Sequence, residues 1–86
     1  MFMNSILWTR KAVKQLLRLH SAHQVQIRDA VTLLGDMPDT GNIKALSGHT
    51  HAYRLRVGNY RILFDWDGAI RVVSIQEVKK RDERTY

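Results

Sequence analysis

The chain has 86 residues, a length that fits one domain spanning 1–86, and one this small buries only about 60–65% of the surface it exposes when unfolded. It has no cysteine, 44% hydrophobic and 26% charged residues; this excludes a disulfide framework and Cys-based zinc sites and argues against disorder. No apolar run approaches the ~18–20 residues of a membrane span, so no membrane partner is expected.

Fourteen Lys and Arg against eight Asp and Glu give a net charge of +6. Such a balance points to a polyanionic partner, either nucleic acid or an acidic protein segment. Charge alone does not choose between them, and a basic surface kept for solubility explains it equally simply. The absence of cysteine fits a reducing compartment, so a cytoplasmic location is expected.

In chain order, the opening segment is apolar but short, with no basic stretch before it and no cleavage pattern, and reads as a strand over Ser5–Trp8. Thr9 is placed to cap a first helix. Val13, Leu16, Leu17 and His20 recur at helical spacing, with Arg10, Lys11, Lys14 and Arg18 mostly opposite. Ser21 is placed to cap a second helix with an apolar face of Ile27, Ala30, Val31 and Leu34, stopped by Gly35. The near-absence of a loop between them predicts an antiparallel helical hairpin. Gly35–Asn42, with the only proline at Pro38, divides the helical half from a strand-forming half.

In that second half, Tyr53, Leu55 and Val57 alternate with Arg54 and Arg56. Gly58-Asn59 makes a two-residue turn into Tyr60–Trp66, where Tyr60, Ile62, Phe64 and Trp66 share one side and Arg61, Leu63 and Asp65 the other. Asp67-Gly68 is the strongest hairpin signal, and a third strand is expected over Ile70–Gln76. A charged tail closes the sequence. The predicted class is α+β, a small twisted antiparallel sheet packed under an N-terminal two-helix hairpin. Trp8 and Trp66 read as core residues.

The spacing places Arg54, Arg56 and Arg61 on one solvated sheet face, with Lys79, Lys80 and Arg81 near the same edge and Tyr86 beyond them. Clustered like charges are costly without a shared anion, and a phosphodiester matches the planar fork of a guanidinium. A plainly solvated face, with Asp65 or Glu77 as ion-pair partners, is the competing explanation. His49 and His51 offer two imidazoles but no third ligand in reach, so no metal site is read and no cofactor is implied. No nucleophile elbow, phosphate-cradling glycine loop or paired-carboxylate motif is present.

Lys44-Ala45-Leu46-Ser47-Gly48, then Ala52–Phe64, then Val78–Tyr86 with its closing K-R-x-E-x-x-Y pattern, resemble the RelE/ParE toxin superfamily in joint order and spacing. The resemblance implies a small α+β toxin of a bacterial toxin–antitoxin pair, neutralised by a cognate antitoxin and reaching operator DNA only through it. RelE-like members cleave mRNA in the ribosomal A site; ParE-like members poison DNA gyrase and lack the cleavage residues. By resemblance, Arg54, Arg56, Arg61, Arg81 and Tyr86 match catalytic positions of the RNA-cleaving branch, with Lys44, Lys79, Lys80 and Arg84 as RNA contacts. Well-known RelE-type members carry lysines where this chain has Arg54 and Arg56; arginine stays protonated, so a base role falls to Tyr86 by default or is shared with the RNA. A gyrase poison, or a non-enzymatic toxin acting within a DNA-binding repressor complex, are the alternative functions.

Overall fold

In the computed structural model, residues 3–37 and 43–80 are described. The order is β1 (Ser5–Trp8), α1 (Arg10–Leu17), α2 (Ser21–Thr32) running into a 3₁₀ turn (Leu33–Asp36), β2 (Ile43–Ala45), β3 (Tyr53–Val57), β4 (Tyr60–Asp67) and β5 (Val72–Lys80). The five strands form one sheet in the order β1-β5-β4-β3-β2. The α+β class holds, but the sheet is mixed, because β1 lies parallel to β5, with Ser5 opposite Val72 and Trp8 opposite Ile75. A parallel neighbour needs a crossover, and here the helical half together with β2, β3 and β4 lies between the two strands in the chain.

Ile27, Val31 and Leu34 from the second helical segment and Ala12 and Leu16 from α1 pack on Leu55, Val57, Ile62, Phe64, Val73, Ile75 and Val78. The α2 face is therefore the expected one, whereas α1 turns Ala12 and Leu16 inward and leaves Leu17 exposed. His20 stands at the start of α2 and not on the α1 face; it occupies the capping position expected of Ser21 and makes no side-chain cap. Trp8 and Trp66 pack against the core without being fully enclosed.

Thr9 caps α1 and ties it to the sheet. Its hydroxyl oxygen accepts from the Ala12 amide at 3.1 Å and its proton is donated to the Ile75 carbonyl at 2.9 Å. Beyond Ile75, β5 has no strand on that side among the described residues; the Gln15 side-chain oxygen accepts from the Val78 amide at 2.7 Å instead. Asn4 clasps the other end. Its side-chain amide donates to the carbonyls of Leu34 and Gly35, both at 3.1 Å, and its oxygen accepts the Trp66 indole N–H at 3.0 Å.

The Gly58-Asn59 turn closes β3 onto β4 as expected, with Val57 opposite Tyr60 and Gly58 at φ +56. The last strand begins later and runs further than the sequence suggested. Asp67-Gly68 opens a four-residue turn, Gly68–Arg71, not a two-residue one. Asp67 Oδ1 accepts from the Ala69 amide at 2.9 Å, and Arg71 takes φ +57. An Asx-type bond of this kind extends the turn past the dipeptide.

The register of β4 on β5 shifts between Leu63 and Phe64: Phe64 opposes Ile75 and Leu63 opposes Glu77, leaving Gln76 as an extra residue. This bulge reverses which β5 side chains face the helices. Val73 and Ile75 point inward before it, Val78 after it, so Glu77 and Lys79 emerge on the open face.

Replacing Thr9 by Ala is expected to lower stability by about 1–2 kcal/mol, the cost of a lost helix cap, with Ser retaining most of it. Urea unfolding of the three proteins measures this.

Candidate functional site

The open face of the sheet is built from cross-strand pairs. Arg56 on β3 lies directly opposite Arg61 on β4, and Arg61 lies opposite Lys79 on β5. One row further, Lys44 on β2 opposes Arg54 on β3, and Arg54 opposes Leu63. The short strand β2 was not foreseen, yet it is what carries Lys44 onto this face. Five cationic side chains thus occupy adjoining positions on four strands.

Arg54 and Arg61 are half-buried, and the Nε of each is buried without a hydrogen-bond partner. Among the described residues no carboxylate lies within 4.0 Å of Arg54, Arg56 or Arg61, so Asp65 and Glu77 are not their partners. Leaving a buried donor of a charged group unsatisfied costs on the order of 1–3 kcal/mol or more. An anion accepting from these guanidiniums removes that penalty. A cavity of about 110 Å³ between them is lined by Leu46, His49, Arg54, Arg61, Leu63 and Lys79. Leu63, though on the polar side of β4, is 5% exposed and forms an apolar floor. A second hollow of about 230 Å³ lies between Lys44, Arg54 and Arg56 at the β2 edge.

Glu77 meets other partners. Lys11 approaches it at 3.3 Å, Lys79 at 3.8 Å and His51 at 3.2 Å. Burial alone raises its pKa; the hydrogen bond from Lys11, the charges of Lys79 and Lys11, and the contact with His51 outweigh this and leave it below the ordinary value. His51 sits between two carboxylates, with Asp65 at 3.5 Å from its other ring nitrogen. Asp65 also accepts the Ala52 amide at 2.8 Å, fixing the entry to β3.

Sequence reasoning weighed the two histidines only as metal ligands; among the described residues His51 instead lies between two carboxylates, in an arrangement not placed to hold a metal ion. Their presence on this face follows from a loop, closed by the Leu46 amide on the Ala52 carbonyl at 2.8 Å, that has no periodic signature. Lys80 falls elsewhere. The bulge puts it opposite Tyr60 on the helical side, beside His23, Gln26 and the Gly58-Asn59 turn. Arg81, Arg84 and Tyr86 lie outside the described residues. A further hollow of about 410 Å³ runs along α1 by Arg10, Lys11, Lys14, Gln15 and Arg18. Lys11, which lines it, also reaches Glu77 on the open face.

Residues 6–85 match the family described as ParE toxin of type II toxin-antitoxin system, parDE. The chain belongs to this family. It is a toxin of a type II toxin–antitoxin system. The fold of this ParE-family toxin is similar to that of a chain in the RelBE2 toxin–antitoxin complex of Mycobacterium tuberculosis, with TM-score 0.79 and 23% identity over 92% of this chain and 99% of that one. A chain of the archaeal RelE–RelB complex from Pyrococcus horikoshii gives TM-score 0.79 and 23% identity over 95% and 99%. The isolated Escherichia coli RelE toxin gives 0.78 and 18% over 95% and 88%. A sequence search of curated proteins found no match.

Because the folded pKa of Glu77 is depressed, its contribution to stability is present above the unfolded value near 4.5 and is lost as pH falls through the lower folded value. Glu77→Gln is expected to be less stable than the parent at pH 7, with the gap closing as the pH drops below 4.5. Thermal melts across pH 3–8 (a range spanning roughly the carboxylate titration) test this.

Proposed function

We propose that this toxin is an endoribonuclease that cleaves mRNA in the ribosomal A site and is silenced by a cognate antitoxin. The observation that carries the proposal is a face of five cations, three of which, Arg54, Arg61 and Lys79, line a small hollow, with the Nε–H groups of the two arginines buried and lacking acceptors. Phosphodiester oxygens supply the missing acceptors in the right geometry.

The reaction uses the substrate's own 2′-hydroxyl as nucleophile, a group DNA lacks. Its oxygen attacks the adjacent phosphorus in line, the bond to the 5′-oxygen breaks, and the products are a 2′,3′-cyclic phosphate and a 5′-hydroxyl. Negative charge grows on the non-bridging oxygens in the transition state. Arg61, together with Arg81, stabilises it; Arg54 and Arg56 hold the substrate phosphates. Lys44 and Lys79 extend the grip along the backbone, as does Arg84 from the tail. Tyr86 stacks on a base or accepts a proton. The route needs no metal, since the cations stabilise the phosphate charge directly, and a face this positive is a poor host for a divalent ion. The ribosome supplies the orientation of the RNA that a domain this small cannot impose alone.

A second reading, a DNA gyrase poison, is favoured by the family description itself, which is that of ParE. There the arginine face is basic surface and no RNA is cut.

Removing one such donor costs about 10²–10³ in rate. Arg61→Ala is therefore expected to abolish discrete cuts inside translated codons, mapped by primer extension after induction without antitoxin, while keeping the parental circular dichroism. Intact mRNA together with double-strand DNA breaks from the parent protein assigns the gyrase reading instead.

A further inference from the structure

An arginine-rich site stabilises charge but has no group that readily takes a proton, because guanidinium stays protonated in proteins. Beside two arginines, a lysine and two leucines, the hollow is lined by a single imidazole, that of His49. Its loop leaves β2 at Leu46 and returns at Ala52 through the 2.8 Å backbone hydrogen bond described above. Gly48, immediately before it, takes φ +68, the left-handed conformation that turns the chain sharply and that other residues rarely adopt. His49 itself is exposed, so its ring is free of the core and open to a ligand. Its neighbour His51 is already occupied by Asp65 and Glu77.

We infer that His49 is the proton-accepting catalytic residue of the RNA cleavage proposed above, on which this inference rests. The imidazole removes the 2′-hydroxyl proton as the 2′-oxygen bonds to phosphorus. The departing 5′-oxygen takes a proton from water, and the hydroxide so formed recovers the proton from the imidazolium, so no proton is gained or lost over the cycle. The charged groups facing His49 in the hollow are Arg54 from β3, Arg61 from β4 and Lys79 from β5. Glu77, on the same face, is engaged by Lys79, Lys11 and His51. These cations hold the phosphate against the ring that accepts the proton. Tyr86 is then left to stack. Histidine is the side chain whose ordinary titration falls between about pH 5 and 8, which suits this task near neutrality.

The test is single-turnover cleavage of mRNA on programmed ribosomes by the purified toxin, freed of antitoxin, across about pH 5.5–8.5. The parent rate is expected to rise with pH and level off as an imidazole loses its proton. His49→Gln is expected to lose about 10²–10⁴ in rate and the pH-dependent limb with it. His49→Gly should regain activity when imidazole is added, and His51→Gly should not. His49→Gln cutting within about twofold of the parent, with the parental pH profile, overturns the assignment while leaving the RNase reading intact. Loss of activity in His49→Gly with no rescue by imidazole overturns it too, and makes His49 a positioning residue. A parent protein that cuts no RNA on or off the ribosome overturns both readings together.

Discussion

The extra residue Gln76 in β5 decides what each face of this sheet carries. Strand side chains alternate strictly, so a regular β5 that buries Val73 and Ile75 would also turn Glu77 and Lys79 towards the helices. The bulge inserts one step, so that Val78 takes the buried place and the two charged residues go to the open side. Ile62 and Phe64 on β4 keep an unbroken alternation and remain fully buried on either side of the irregularity. One irregularity therefore lets a continuous apolar core and a continuous polar face share the same strand.

The same step separates Lys79 from Lys80. Lys79 joins Arg61 across the sheet, whereas Lys80 joins Tyr60, whose hydroxyl is hydrogen-bonded to His23 at 2.8 Å. It also delivers Glu77 to the place where Lys11 from α1 and His51 from the β2–β3 loop reach it. A single carboxylate thereby links helix, loop and last strand behind the arginines. The arginines themselves have no such compensation among the described residues.

Much of this was legible in the residue order. Period-two alternation put Arg54 and Arg56 on the face opposite Leu55 and Val57, and the glycine turn brought Arg61 directly across from Arg56. The helix face of Ile27, Val31 and Leu34 followed from period 3.6 in the same way. What escaped was whatever depends on distant pairing. A three-residue strand such as Ile43–Ala45 has too few positions for a pattern and exists only because β3 lies beside it. The parallel pairing of β1 joins residues some 67 positions apart, Ser5 with Val72, which no local rule sees. The bulge is a matter of register between two strands, so its effect on Lys80 and Glu77 could not be read from either strand alone. His49 and His51 sit in a loop whose shape rests on one backbone bond and on Gly48, and so escaped for the same reason.

The guanidiniums, unpaired among the described residues, would also shape the thermodynamics of any association with a polyanion. A face of clustered fixed cations gathers small anions from the surrounding salt solution. Any polyanion that docks there displaces them, and their release into bulk solvent is an entropic driving force that grows with the number of phosphates or carboxylates seated. Binding to this face is therefore strong in dilute salt and fades steeply as ionic strength rises, whichever polyanion occupies it. A nucleic acid and an acidic protein chain would thus be favoured on the same electrostatic terms.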